Sequence, residues 1–454
     1  MTSVAVIGGG ISGLVAAYRL RQRLGPDAVI TMVEPSGRLG GKLRTTELAG
    51  DGVDVGAEAF IARRPEVPAL LAELGLSDQI VAPAAVRPLI WSEGALHPLP
   101  GGALMGIPAD SASVAGLVDD ATLARIDAEP GVPLEWRPGS DTDVATLVGS
   151  RFGEQVVRRS VDPLLGGVYS GLSDSIGVRA ALPTLAAALD RGAASLSAAV
   201  AEALPEPSPG PVFGGLRDGY GVLLDALTER AAATVVRADA SGLSRAPDGQ
   251  GWWIDPVGRV DGVVLAVPAP SLAALLSGVA PVASSAAAQI PLASSVVVAL
   301  ALDEGTPLPQ NSGILVATGE AVRAKAFTLS SRKWPHLAER GGALVRASFG
   351  RFGDAAIVDA PDGELVAAAR ADLETVTGLR VDPVDPVDAV VQRWHGGLPQ
   401  YGPGHLERVQ VIEDATGALP GLAVAGALLH GVGVPACVAA ATTAATTVAE
   451  QMAR

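Results

Sequence analysis

The chain has 454 residues, 48% hydrophobic and 18% charged, which fits two or three folded domains and excludes a disordered chain. A net charge of −15 with no basic block argues against a nucleic-acid partner. Cys437 is the single cysteine, so an intramolecular disulfide and a cysteine-built metal site are excluded; the five histidines show no i, i+4 spacing, and no metal is expected.

The sequence opens on an apolar run with no basic stretch and cleavage site ahead of it, so a cytoplasmic location is expected. "SVAVIGGGISGLVAAYRL" predicts a strand, a glycine turn and a helix. Gly8 permits the tight turn, Gly10 lets backbone approach a pyrophosphate, and Gly13 lets helix and strand pack closely. The helix N-terminus would face the phosphates, with Gly9, Ile11 and Ser12 alongside. A second strand, "AVITMVE", ends at Glu34, 21 residues after Gly13, where an acid binds ribose hydroxyls; Pro35 follows it. Strand, turn, helix, second strand and terminal acid in this order predict a dinucleotide site.

"PSGRLGGKLRTTEL" adds a glycine pair, Gly40 and Gly41, then Lys42, which would lie against the diphosphate and ring side of the ligand. "DGVDVGAEAFI" offers small residues at Gly56 and Ala57, followed by Glu58 and Ala59. "PLIWSEGALHPLP" predicts a hairpin turning at Glu93 and Gly94. Residues 101–200 read as helical, with Asp141 or Asp143 as a helix cap. A proline-rich linker follows at 204–215, then a glycine turn into a helix and alternating strands. Residues from about 269 to 395 predict an antiparallel sheet that builds a substrate cavity.

The tail is the most ambiguous segment. Residues 415–449 contain no Asp, Glu, Lys or Arg, a length that could span a bilayer. Gly421, Gly426, Gly431, Gly433 and Pro435 interrupt it. The better reading is a last strand, Leu422 to Ala425, a turn at Gly426, a close backbone approach at Val432, Gly433 and Val434, and a helix from about Pro435 to Met452. That helix would aim its positive end at a cofactor.

The extended glycine motif resembles the amine-oxidase-like flavoprotein superfamily, which implies non-covalently bound FAD. "GAEAFIARRPEV", "GALHPLP", "SVDPLLGGVYSG", "FGGLRDGYGVLLDAL", "VLAVPAP", "LPQYGPGH" and "AGALLHGVGVPACV" together resemble the porphyrinogen oxidases of haem biosynthesis. The aromatic content of 4% is a poor supply for the cage an amine oxidase builds. The resemblance implies an α/β fold: a discontinuous Rossmann-like FAD-binding domain (1–76, 216–268, 396–454), an α+β substrate domain (77–100, 201–215, 269–395) and a helical insertion (101–200). It places Ala240 at the adenine and Trp394 near the flavin.

It also implies six-electron oxidation of a porphyrinogen, with O2 reduced to H2O2 and the product handed to the next haem-pathway enzyme. The Ala-, Gly- and Val-rich, Lys-poor composition suggests a high-GC bacterial source. In the family that the chain resembles, many Gram-positive bacteria oxidise the coproporphyrinogen, so the resemblance implies coproporphyrinogen III as the preferred substrate, with protoporphyrinogen IX as the alternative. No catalytic side chain is expected, because flavin N5 accepts the hydride. Arg63, Arg64 and Arg87 are the candidates for propionates. Gly167, Val168 and Tyr169 would line the cavity, and Ile314, Leu315 and Phe349 would sandwich the macrocycle. The resemblance departs at "NSG", Asn311 to Gly313, where relatives often carry an aromatic residue. Cys437 reads as a small buried hydrophobe. A different flavoenzyme, such as an amine oxidase or carotenoid desaturase, and a non-catalytic flavin-binding partner remain as other classes. At most peripheral membrane contact is expected.

Overall fold

A computed structural model describes residues 2–206, 209–247, 249–354, 356–379 and 386–453. Part of the proline-rich linker, residues 207 and 208, lies outside that set.

The first body is built on a five-stranded, wholly parallel sheet. Its spatial order is Thr234–Val236, Val29–Val33, Ser3–Ile7, Gly262–Leu265, Leu422–Val424. Numbered along the chain this is 3-2-1-4-5, the doubly wound order in which ligands bind beyond the carboxyl ends of the strands. Alternation along the first strand feeds two cores. Val4 and Val6 face helices Ile11–Leu24, Gly221–Ala231 and Val434–Met452, whereas Ala5 and Ile7 face a small antiparallel meander and helices Ala269–Leu276, Pro281–Ala288 and His405–Gly417. Helix Ile11–Leu24 stops at Gly25, whose φ of 82° puts it in the left-handed region, and its N–H returns to Arg21 O. The tail helix is rich in Ala and Thr, and its Ala441, Ala444 and Ala445 pack with Ala16 and Ala17 of the first helix. No helix among the described residues is long and apolar enough to cross a membrane.

The second body is a seven-stranded sheet in the order 388–399, 292–302, 343–349, 326–329, 313–316, 89–92, 95–98. The hairpin turns at Glu93 and Gly94, both with positive φ, and joins the sheet through a parallel pairing of 89–91 with 314–316. One face is covered by helix Asp362–Thr377 through Leu365, Ala369 and Leu373. The other face turns toward the first body, where Leu344 and Ala299 pack with Val53, Val55 and Trp334.

A third core gathers the helices between residues 111 and 203, with Ile107 and Tyr401. Asp143 caps helix Val144–Phe152 by accepting from Thr146 N at 2.7 Å. Asp141 instead accepts from Arg179 N and Gly404 N, both at 3.1 Å, and so ties this core to the chain's last third.

Two expected domain boundaries differ from the packing. Helices 269–276 and 281–288 belong to the core of the parallel sheet, because their apolar stripe meets Leu422, Val263 and Leu265. The boundary at 395/396 falls inside strand Asp388–Pro399, which pairs with Leu292–Leu302 along most of its length.

Candidate functional site

The glycine turn sits at the carboxyl end of the first strand. Gly8 has φ 100°, and a Cβ there would lie 2.3 Å from Ala266 O at the end of the neighbouring strand. A Cβ on Gly13 would lie 1.8 Å from Gly8 O, so helix and turn pack too closely for any side chain. The second glycine loop interlocks with the first. Gly40 N donates to Gly9 O at 2.8 Å, Gly10 bridges Gly40, and a Cβ on Gly41 would be 2.9 Å from Gly10 Cα. Helix Ile11–Leu24 starts at Gly10 with no side-chain cap and no acid in its first turn, which leaves its N–H groups for an anion. Glu34 latches the turn: one carboxylate oxygen accepts from Gly9 N at 2.7 Å, the other from Ser36 N at 2.9 Å. Pro35 is exposed beside it. Glu34 N donates to Val236 O at 3.0 Å, so Glu34 and half-buried Ala240 follow the ends of adjacent strands.

The facing wall comes from the tail. Gly426 has φ 128°, and a Cβ there would meet nothing within 4 Å; at Gly433 it would meet only Pro435 Cδ, at 3.7 Å. Gly433 caps helix Val434–Met452, which has Pro435 in its first turn, no side-chain cap and no acid there. Val432 packs against the helical core. Two uncapped helix N-termini and open-faced glycines at the ends of one parallel sheet fit a dinucleotide.

Between the bodies lies Gly56–Ala59. A Cβ on Gly56 would be 2.0 Å from Lys42 O and 3.2 Å from Trp394 Cζ2, and Trp394 Nε1 donates to Val55 O at 3.0 Å. Ala57 N donates to Lys42 O at 3.3 Å. The Glu58 side chain turns toward the second sheet. It ion-pairs with Lys333 at 2.9 Å and Arg346 at 3.4 Å. Burial works to raise its pKa, but these two cations hold it at about 2. Sequence reasoning missed both partners. Arg346 had a readable signal, a lone charge alternating within the apolar strand "ALVRASF"; Lys333 had none.

The macrocycle candidates divide. Gly167 and Val168 are exposed on helix Asp162–Tyr169, and a Cβ on Gly167 would touch Leu315 Cδ2 at 3.8 Å, so these two elements meet. Tyr169 is buried, its ring 5.7 Å from that of Tyr401, and its carbonyl accepts from Gln400 at 2.7 Å. Ile314 and Phe349 are a correction: both are fully buried in the core under helix Asp362–Thr377. Neighbouring residues on a strand face opposite ways, so Leu315 alone of its pair turns toward the helix carrying Gly167. Asn311 in "NSG" donates to Gly313 O at 2.6 Å, and its Oδ1 is buried with no partner among the described residues.

Arg64 is engaged by Glu66 in an ion pair, and Arg63 donates to Gly210 O at 3.4 Å. Arg87 is exposed, at the entry to the hairpin strand. Cys437 is buried, and burial pushes its thiol up to about 11, so it is a poor thiolate. His430 is exposed and pairs with Glu413 at 2.7 Å.

The sequence profile of the flavin containing amine oxidoreductases matches residues 11–449, and the chain belongs to that family of flavoenzymes. Within it, the chain is 56% identical to a coproporphyrinogen III oxidase of Mycobacterium tuberculosis (strain H37Rv), over 99% of this chain and 98% of that protein. It is 54% identical to the coproporphyrinogen III oxidase of Mycobacterium leprae, over 97% and 96%. A crystal structure from Exiguobacterium sp. 255-15, provisionally named a protoporphyrinogen oxidase, superposes with a TM-score of 0.86 at 28% identity, covering 99% of each chain. The protein is a flavin-dependent oxidoreductase. When bound, the flavin supplies an acceptor for hydride.

Proposed function

We propose that this flavoenzyme oxidises coproporphyrinogen III to coproporphyrin III by six electrons, with O2 as acceptor and H2O2 as by-product, in haem biosynthesis. The observation that carries this reading is the full-length 56% identity to a relative named coproporphyrinogen III oxidase. The geometry supports it: two uncapped helix N-termini and open-faced glycines lie at the ends of one parallel sheet.

In this reading the diphosphate lies on Gly8 to Gly13 and on Gly40 to Lys42. Glu34 and Pro35 hold the ribose, and Ala240 the adenine. Gly56, Ala57, Ala59, Trp394, Gly426, Val432, Gly433 and Val434 bound the flavin. The dinucleotide body comprises 1–76, 216–290 and 400–453, since helices 269–288 pack on its sheet. The macrocycle rests on Leu315 and on Gly167 and Val168. Helix Asp162–Tyr169 ends there, with Gly166 O taken by Ser170 N and Tyr169 O by Gln400. The carbonyls of Gly167 and Val168 accept pyrrole N–H groups. Arg87 and Arg63 bind carboxylates at the rim. The chain's own task is to orient the macrocycle and exclude water. The protein works in the cytoplasm and passes its product to the next enzyme of the pathway.

The test is stoichiometry. A colourless porphyrinogen should give fluorescent porphyrin with three H2O2 formed per porphyrin. A ratio near zero would remove O2 as the acceptor, and no porphyrin would remove the reading.

A further inference from the structure

We propose that Arg346 is a positioning residue for the flavin: together with Glu58 and Lys333 it brackets the segment Gly56–Ala59 and sets the electron affinity of the cofactor held against it. The inference rests on the assignment of that segment to the flavin side.

Arg346 sits on strand Ala343–Phe349, opposite Thr328 and Ala299. Its neighbours Val345 and Ala347 face the core under helix Asp362–Thr377, so Arg346 projects from the other face, toward the first body. There one guanidinium nitrogen donates to Gly56 O at 2.7 Å and another lies 3.4 Å from Glu58. Glu58 also takes Lys333 Nζ at 2.9 Å and Ser330 Oγ at 3.3 Å. Every one of these contacts joins a residue of the second sheet, or of the short helix after its fourth strand, to one turn of the first body. Arg346 Nε is buried and, among the described residues, makes no hydrogen bond. The guanidinium is therefore committed to Gly56 and Glu58 rather than to its own sheet.

The arrangement has two effects. Mechanically, Arg346 fixes the carbonyl of Gly56, a residue already wedged between Lys42 and Trp394, and so sets the gap between the bodies. Electrostatically, two cations and a carboxylate stand behind the segment where burial weakens screening. Reduction adds negative charge to a flavin. Charge changes within this bracket therefore act on the reduced form more than on the oxidised form.

A merely structural tie and an electrostatic one are separated by sign. Arg346→Met and Glu58→Gln each break the bracket and each should lower thermal stability. Only the electrostatic role moves the flavin potential in opposite directions. We would measure the midpoint potential of the holoprotein against a reference dye, flavin release and thermal unfolding. Wild type, Arg346→Met, Arg346→Lys and Glu58→Gln are compared. Arg346→Met should disfavour reduced flavin about tenfold, about 30 mV for a two-electron couple, and Glu58→Gln should favour it by a similar factor. Arg346→Lys should stay within about threefold of wild type, because it keeps the charge. Flavin should leave Arg346→Met and Glu58→Gln faster than wild type. Potentials that shift the same way in both, or do not shift while stability falls, overturn the inference. If Arg346→Met folds without flavin, Glu58→Gln decides: an unchanged potential there overturns it. Wild-type protein that bound no flavin would instead contradict the cofactor assignment.

Discussion

Gly13 and Gly433 both belong to the proposed cradle, but they are glycines for different reasons. A Cβ on Gly13 would strike Gly8 O at 1.8 Å, so the constraint belongs to the fold itself. Gly13→Ala should cost about 1–3 kcal/mol of stability whether or not flavin is present, as read by denaturant unfolding. At Gly433 the backbone has φ −74° and ψ 153°, which any residue adopts, and open space beyond it. Gly433→Leu should leave unfolding of the flavin-free protein within about 0.5 kcal/mol of wild type. It should lower flavin occupancy at least tenfold, read from the visible spectrum; a variant that stays fully yellow would contradict the proposed cradle. The arginines divide in the same manner. Arg64 is committed to Glu66, whereas Arg87 stands exposed with no ion pair among the described residues. Arg87→Met should raise KM about tenfold or more, the size expected for one charge-assisted hydrogen bond, with little change in kcat. Arg64→Met should raise it less.

At the scale of elements, what could be read from sequence follows from how local each constraint is. The glycine turn, the hairpin at Glu93 and Gly94 and the tail helix are dictated by neighbours within a few residues, and they stand where the pattern puts them. The faces of the second sheet depend on pairing register, and a one-residue change reverses every side chain. That is why Ile314 and Phe349 fall under helix Asp362–Thr377, whereas Leu315 packs with Ile90 and Leu117. The bracket at Glu58 was hidden because its partners lie more than 270 residues away along the chain. Asp54 shows the same long-range dependence. It closes the hairpin 45–54 onto helix Gly221–Ala231 by accepting from Thr45 Oγ1 at 2.6 Å and from Tyr220 N at 3.1 Å. Burial raises its pKa from 3.8 to about 6; the bonds from Thr45 and Tyr220 and the charge of Arg346 pull it down, and Glu58 pushes it up. A folded-state value above the unfolded one means the stabilising contribution is complete below about pH 4 and is lost as pH rises through 6. The contribution is on the order of 3 kcal/mol. Asp54→Asn should flatten the pH dependence of unfolding between pH 4 and 6; an unchanged slope would mean that Asp54 titrates normally.

The two large sheets of the molecule are of opposite character, and the helices between residues 111 and 203 form a third core beside them. The parallel sheet presents backbone N–H groups and helix N-termini, which suit a phosphate-bearing cofactor, and the antiparallel sheet presents side chains, which suit a shaped substrate. Arg44 to Gln392, Lys333 and Arg346 to Glu58, and Trp394 to Val55 cross between them. These contacts hold the two bodies together beside the segment proposed for the flavin. The most direct measurement is a side-by-side assay of coproporphyrinogen III and protoporphyrinogen IX at equal concentration, following porphyrin fluorescence with the holoprotein. A higher kcat/KM is expected for coproporphyrinogen III. Faster turnover of protoporphyrinogen IX would contradict the substrate assignment, and porphyrin from neither would contradict the function.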